Sequence, residues 1–162
     1  MILIIILIIS SLNGDISPGY TLFSPLQNQG GGNYNTYLID NEGNYINTWN
    51  HDCKPVSISY LSPDSSLIIP CSQNEVDGLG GGNQLRGGRI LKLSWEGEVL
   101  WDDIFVDPSY QPHHDIAPLP NGNILILAWE LKTAKEANVD SIASDEAFGI
   151  DEVYLNFDPD AM

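Results

Sequence analysis

The sequence predicts an all-β fold, namely a partial β-propeller of about two and a half four-stranded blades. Two alternating phrases support this prediction. An apolar alternating run, a turn and a second run occur at residues 36–49 and 89–101, and a third copy starts at Glu152. A second phrase of the same kind lies at residues 57–71 and 114–130. Period-two alternation around turn residues is typical of β-hairpins, so the chain reads as alternating outer and inner hairpins.

Turn chemistry lies in the middle of each predicted hairpin. Gly43 and Gly97 mark the turns of the two outer hairpins, and Pro63 marks the turn of the first inner hairpin. The second inner hairpin turns at Asn121-Gly122. Proline presets φ, whereas asparagine and glycine tolerate a positive φ, so these residues suit tight turns. A short helix over residues 132–137 is the only helix that the sequence predicts.

The predicted domain organisation is a leader over residues 1–14 and an incomplete propeller over residues 15–162, truncated at its C-terminus. Residues 2–9 are all aliphatic, and small or polar residues follow. Such a run is too short to cross a bilayer and resembles the apolar part of a signal peptide. We therefore expect export to the periplasm or the extracellular space. A chain with too few blades to close a ring is also expected to associate with itself if it is this short.

Composition excludes several partners. The 162 residues carry 22 acidic and 6 basic side chains, which gives a formal charge of −16. This charge argues against nucleic acid and against anionic membrane surfaces, both of which require lysine and arginine. The acidic residues lack the spacing of a calcium-binding loop, and the Gly-rich segment 74–88 lacks a phosphate-binding motif. The sequence therefore predicts no metal and no cofactor.

The only two cysteines, Cys53 and Cys71, flank the first inner hairpin. Antiparallel pairing of that hairpin brings its two ends together, so a disulfide is geometrically reasonable and export would permit it. The alternative is a pair of separate buried thiols.

Histidines provide the candidate chemistry. His113, His114 and Asp115 precede an inner strand, where side chains of a propeller face the central channel. Because adjacent strand residues point to opposite faces, one ring is expected to face the channel while Asp115 orients a ring. His51 precedes the other inner strand in the same way. The alternatives are structural or surface histidines, or a zinc site built from all three. Arg86 is a candidate anion contact, because a guanidinium group suits sulfate oxygens.

The phrases TYLIDNEGNYINTW, GGRILKLSWEGEVLWDD and HHDIAPLPNGNILILAWE together resemble the arylsulfotransferase (aryl-sulfate sulfotransferase) family. The resemblance covers roughly residues 20–160, and the HHDI-x-PLPNGN phrase is its most specific part. It implies an exported six-bladed β-propeller. It also implies transfer of a sulfuryl group from a phenolic sulfate ester to a phenol, without a nucleotide donor and through a transiently sulfated histidine.

The resemblance assigns roles to only some residues of this chain. His114, or else His113, matches a channel histidine that supports sulfate binding or acid–base chemistry, and Asp115 would orient it. Arg86 and His51 are the further substrate-binding candidates. The nucleophilic histidine of the family lies in a later blade, beyond Met162, so the 162-residue chain is expected to be inactive alone. A non-catalytic propeller that binds a ligand or a protein partner is the alternative function.

Overall fold

A computed structural model describes residues 17–25, 32–73, 86–133 and 148–157. The predicted leader and most of the Gly-rich segment lie outside these residues. The described residues form ten strands and no helix. The strands are β1 (Thr21–Phe23), β2 (Tyr34–Ile39), β3 (Tyr45–His51), β4 (Tyr60–Leu61), β5 (Leu67–Ser72), β6 (Gly88–Leu93), β7 (Val99–Ile104), β8 (Tyr110–Pro118), β9 (Ile124–Thr133) and β10 (Phe148–Phe157).

The strands form three antiparallel sheets in chain order. The first sheet has the order β1-β2-β3, the second β4-β5-β6-β7 and the third β8-β9-β10. Each strand within a sheet pairs with its neighbour in the sequence. The prediction of an all-β fold is confirmed at this level. The predicted outer hairpins are β2–β3 and β6–β7, and the predicted inner hairpins are β4–β5 and β8–β9.

The four hairpins share one turn geometry. In each, a backbone N–H donates to the carbonyl three residues earlier, and the donating residue has a positive φ. This is a type I turn followed by a left-handed residue, a common three-residue hairpin connection. The left-handed residues are Gly43 (φ 83°), Ser65 (φ 65°), Gly97 (φ 88°) and Gly122 (φ 92°).

Apolar cores lie between successive sheets, because alternate residues of the middle sheet face opposite sides. Leu67 and Ile69 join a buried cluster with Leu38 and Trp49 of the first sheet. Ile68, from the same strand, joins a second buried cluster with strands β8 and β9. The second sheet is therefore covered on both faces, which explains why its strand β5 is buried from Leu67 through Cys71.

Trp49 connects the first sheet to the second. Its ring is 1% exposed and meets Trp95 edge to face, with ring centroids 5.5 Å apart. The indole Nε1–H donates to the carbonyl of Ser94, 2.9 Å away. A buried indole that finds a hydrogen-bond partner stabilises contact without leaving a polar group unpaired.

Two expectations about element bounds were wrong. Strand β8 begins at Tyr110, so His113 lies inside the strand and not before it. Strand β9 continues through Thr133, so the first two residues of the predicted helix over 132–137 are strand, and its remaining residues lie outside the described residues. Lys132 pairs with Gly149 of β10, and this ladder overrides the weak helix propensity of the segment.

Candidate functional site

Residues of β1, of the segment that leads into β4 and of β8 line one cavity of about 300 Å³. Leu22, Phe23 and Ser24 come from the end of β1, residues 56–59 come from the segment that precedes β4, and His114 comes from β8. We call this the first-strand cavity. Its walls combine apolar side chains with three serine hydroxyls and one imidazole ring, which suits a ligand with an apolar body and a polar end.

A bulge in β8 brings His114 to this cavity. The pairing with β9 runs from Pro112↔Ala128 directly to Ile116↔Ile126. Residues 113–115 therefore lie opposite the single residue Leu127. Bulges of this kind bend a strand and redirect its side chains, and they are frequent beside active sites.

The bulge places the two adjacent histidine rings together. The ring centroids of His113 and His114 are 4.0 Å apart, and their Nδ1 atoms are in contact. The sequence predicts the opposite, with the rings on different faces, because that rule assumes a regular strand. His113 packs edge to face on Trp129, with centroids 4.1 Å apart, while His114 lines the first-strand cavity.

Asp115 pairs with a tyrosine and not with a histidine ring. Its Oδ1 accepts hydrogen bonds from the Tyr60 hydroxyl at 3.3 Å and from the backbone N–H of Ile116 at 2.9 Å. Burial of Tyr60, together with the nearby Asp115 carboxylate, raises the pKa of the tyrosine hydroxyl. The hydrogen bonds of Asp115 therefore serve a contact between β4 and β8, where the sequence predicts a residue that orients a histidine.

The residues that lead into β6 pack against the backbone of the bulge in β8. The Gln111 side chain donates from Nε2 to the carbonyl of Gly87, 2.7 Å away. A Cβ atom built on Gly87 would overlap the carbonyl oxygen of His113, so only glycine fits there. The predicted anion contact Arg86 precedes this glycine and is 8% exposed. The structure thus places the backbone of Gly87, the residue after Arg86, against His113 of the bulge, although the two segments are distant in sequence.

His51 occupies a different environment and does not line the cavity. The residue is 6% exposed, and both ring nitrogens have partners. Nδ1 lies 2.9 Å from the carbonyl oxygen of Cys53, and Nε2 lies 3.0 Å from the hydroxyl of Thr36. Burial lowers the pKa of His51 below its ordinary value of 6.5. The ring is thus engaged on both sides and apart from the cavity lining, and a role of His51 in substrate binding stays a prediction.

A series of hydroxyl groups nevertheless connects His51 to the first-strand cavity. The Thr36 hydroxyl lies 2.7 Å from that of Ser24, and the Ser24 hydroxyl lies 2.7 Å from that of Ser59. Ser24 and Ser59 both line the cavity. We call the side chains of His51, Thr36, Ser24 and Ser59 together the hydroxyl relay. Sequence reasoning missed it, because serine and threonine are common and no local pattern joins residues separated by 12 and 35 positions.

An ion-pair cluster lies near His51 at the surface. Arg89 donates to both carboxylate oxygens of Asp102 at 2.7 Å and to Asp52 at 3.0 Å. Hydrogen bonding to Arg89 lowers the pKa of Asp102, and the two carboxylates raise that of Arg89. Arg89 therefore acts as a bridge between β6, β7 and the end of β3.

Cys53 and Cys71 form a disulfide, with Cα atoms 5.4 Å apart. The segment after β3 runs antiparallel to β5 here, since Pro55 pairs with Cys71 and the N–H of Ser72 donates to the carbonyl of Lys54. The disulfide thereby ties the first sheet to the second, directly beside the carbonyl that His51 contacts. Of the two alternatives left open by the sequence, the structure contains the bonded pair.

Two kinds of feature are absent from the described residues. No three histidine, cysteine, aspartate or glutamate side chains in this part of the chain lie close enough to hold a metal ion. The same residues include no helix with the length and apolar character needed to cross a membrane.

Comparisons of the chain with family models, with curated proteins and with solved structures gave no match. The geometry described above is therefore the basis for the functional argument.

Proposed function

We propose that the protein is an arylsulfotransferase-like β-propeller that transfers a sulfuryl group from a phenolic sulfate ester to a phenol without a nucleotide donor. The observation that carries the proposal is the convergence of β1, of the segment before β4 and of β8 on one cavity that contains His114. In a propeller the first strand of each blade lines the central channel, which is where such folds hold small ligands.

The arrangement of the sheets supports the propeller part of the proposal. Each sheet is an antiparallel meander in chain order, and apolar cores separate one sheet from the next. The Trp49–Trp95 contact packs the first sheet against a turn of the second. Repeated four-stranded units that bury their faces only against neighbouring units are characteristic of propeller blades.

The proposed roles follow from the positions of the side chains. The apolar walls at Leu22, Phe23 and Ile58 would hold the aromatic ring of a substrate. His114 would exchange a proton with the phenolic oxygen, and His113 would support its orientation. Arg86 would add positive charge beside the bulge. None of these residues is assigned as the nucleophile, so the described part of the chain supplies binding and proton transfer only.

A non-catalytic propeller that binds a ligand at the same cavity is the second candidate. The observation in its favour is a cavity whose apolar walls and serine side chains suit a ligand with an apolar body and a polar end. The two functions differ in whether a bound aryl sulfate loses its sulfuryl group to an acceptor.

The test is release of 4-nitrophenol from 4-nitrophenyl sulfate by the full-length protein that carries the further blades, with phenol as acceptor. We expect release that depends on phenol and falls at least about tenfold in His114→Ala, the range for loss of a supporting acid–base group. Glu98→Gln, an exposed change in the β6–β7 turn, is the matched control and should retain the activity. Binding of the ester without release favours the non-catalytic function. No binding, or full activity in His114→Ala, contradicts the proposal.

A further inference from the structure

The hydroxyl relay has a fixed hydrogen-bond direction when His51 is neutral. The carbonyl of Cys53 can only accept, so Nδ1 of His51 must carry the ring hydrogen. Nε2 is then an acceptor, and the Thr36 hydroxyl must donate to it. Each hydroxyl has one hydrogen, so Ser24 must donate to Thr36 and Ser59 must donate to Ser24.

This direction determines what Ser59 offers to the first-strand cavity. Its single hydrogen is committed to Ser24, so its oxygen reaches the cavity with acceptor lone pairs only. Ser59 is 4% exposed, so a ligand that leaves this oxygen unsatisfied loses much of the free energy of binding. An anionic oxygen placed there would face another acceptor and be repelled.

We propose that the hydroxyl relay makes Ser59 a hydrogen-bond acceptor in the first-strand cavity, so that the cavity selects uncharged ligands that donate a hydroxyl hydrogen from an apolar body. The inference rests on the cavity named in the proposed function and assigns it to the phenol and not to the sulfate ester. It does not depend on sulfuryl transfer itself.

The surroundings of His51 keep the relay in this direction. Tyr34 stacks on the ring at 6.5 Å between centroids, and Asp52 and Arg89 are the charged groups that act on it. The arginine opposes protonation while the aspartate favours it, and burial, the largest influence, lowers the pKa. The ring is therefore neutral at neutral pH. Protonation of Nε2 would reverse every bond of the relay and turn Ser59 into a donor.

The experiment compares two ligands that differ in whether the oxygen on the aromatic ring carries a hydrogen or a methyl group. Dissociation constants for phenol and for anisole, its methyl ether, are measured with the intact protein at neutral pH. We expect phenol to bind about tenfold more tightly, the value of one buried hydrogen bond. Thr36→Val removes the donor to His51 and frees the Ser24 and Ser59 hydroxyls to turn, so the ratio should fall towards one.

Two controls separate this specificity from a structural effect. Thr36→Ser retains the hydroxyl and should retain the ratio, even if both ligands bind somewhat more weakly. Ser57→Ala removes a hydroxyl that lines the same cavity but lies outside the relay, and it should also retain the ratio. Independently, ¹⁵N NMR of the His51 ring should show the hydrogen on Nδ1; a hydrogen on Nε2 would overturn the inference.

The outcomes distinguish this inference from the proposed function. Equal binding of phenol and anisole, an unchanged ratio in Thr36→Val, or displacement of bound phenol by phenyl sulfate would each overturn the inference. The last of these results would leave the sulfuryl-transfer proposal intact. Selective phenol binding with no release of 4-nitrophenol would support the inference and contradict the transfer.

Discussion

His51 ends β3, the last strand of the first sheet, whereas His114 lies inside β8, the first strand of the third sheet, and their environments differ as well. His51 is buried with both nitrogens bonded, whereas His114 lies in a strand bulge and lines the first-strand cavity. Their aspartates also differ, since Asp52 pairs with Arg89 and Asp115 accepts from Tyr60. A repeated dipeptide therefore does not have a repeated role; the partners that the fold brings to each ring decide it.

The largest expected effect concerns the disulfide beside His51. Replacing Cys53 and Cys71 together by serine removes a disulfide that spans 18 residues. We expect the free energy of unfolding to fall by about 3 kcal/mol, because the unfolded chain gains freedom. Urea unfolding of the variant and of the oxidised protein measures this change. An equal stability of the two proteins would show that the disulfide does not hold the first sheet to the second.

The second effect concerns the close packing of Gly87 against the bulge that carries His114. Gly87→Ala places a Cβ atom against the carbonyl oxygen of His113, so the bulge or β6 must shift. We expect a loss of about 2 kcal/mol in unfolding free energy, as for other overpacked sites, together with weaker ligand binding. Glu98→Gln, an exposed change in the β6–β7 turn, is the control and should leave both quantities unchanged. Unchanged stability and binding in Gly87→Ala would contradict the packing described for the bulge.

A smaller effect is the pH dependence of the unfolding free energy that His51 contributes. The folded pKa of His51 is lowered, so the unfolded protein takes up its proton first as the pH falls. The stability of the neutral form is fully present above about pH 6.5 and decreases below it, until the pH passes the folded pKa. Urea unfolding between about pH 7.5 and 5 should therefore show a steeper loss for the parent protein than for His51→Leu. Parallel losses would show that the pKa of His51 is not lowered.

The hairpins could be predicted from sequence because their turns depend on local residues such as Gly43 and Gly97. The disulfide could be predicted for the same reason, since its cysteines flank one hairpin. The bulge was not predictable, because it depends on which residues of β9 face Pro112 and Ile116. The relay depends on contacts among separate segments of the chain. The part of the site that distinguishes His51 from His114 is therefore the part that pairing and packing between strands create.

The most direct test of the difference between the two histidines is one substitution made at each. Unfolding free energy and binding of 4-nitrophenyl sulfate and phenol are measured for His51→Leu and His114→Leu. His51→Leu should lower the unfolding free energy by about 2 kcal/mol, because it leaves the Thr36 hydroxyl and the Cys53 carbonyl unpaired. His114→Leu should change stability by less than about 0.5 kcal/mol and weaken ligand binding. A stable His51→Leu protein beside a His114→Leu protein that binds normally would contradict the account.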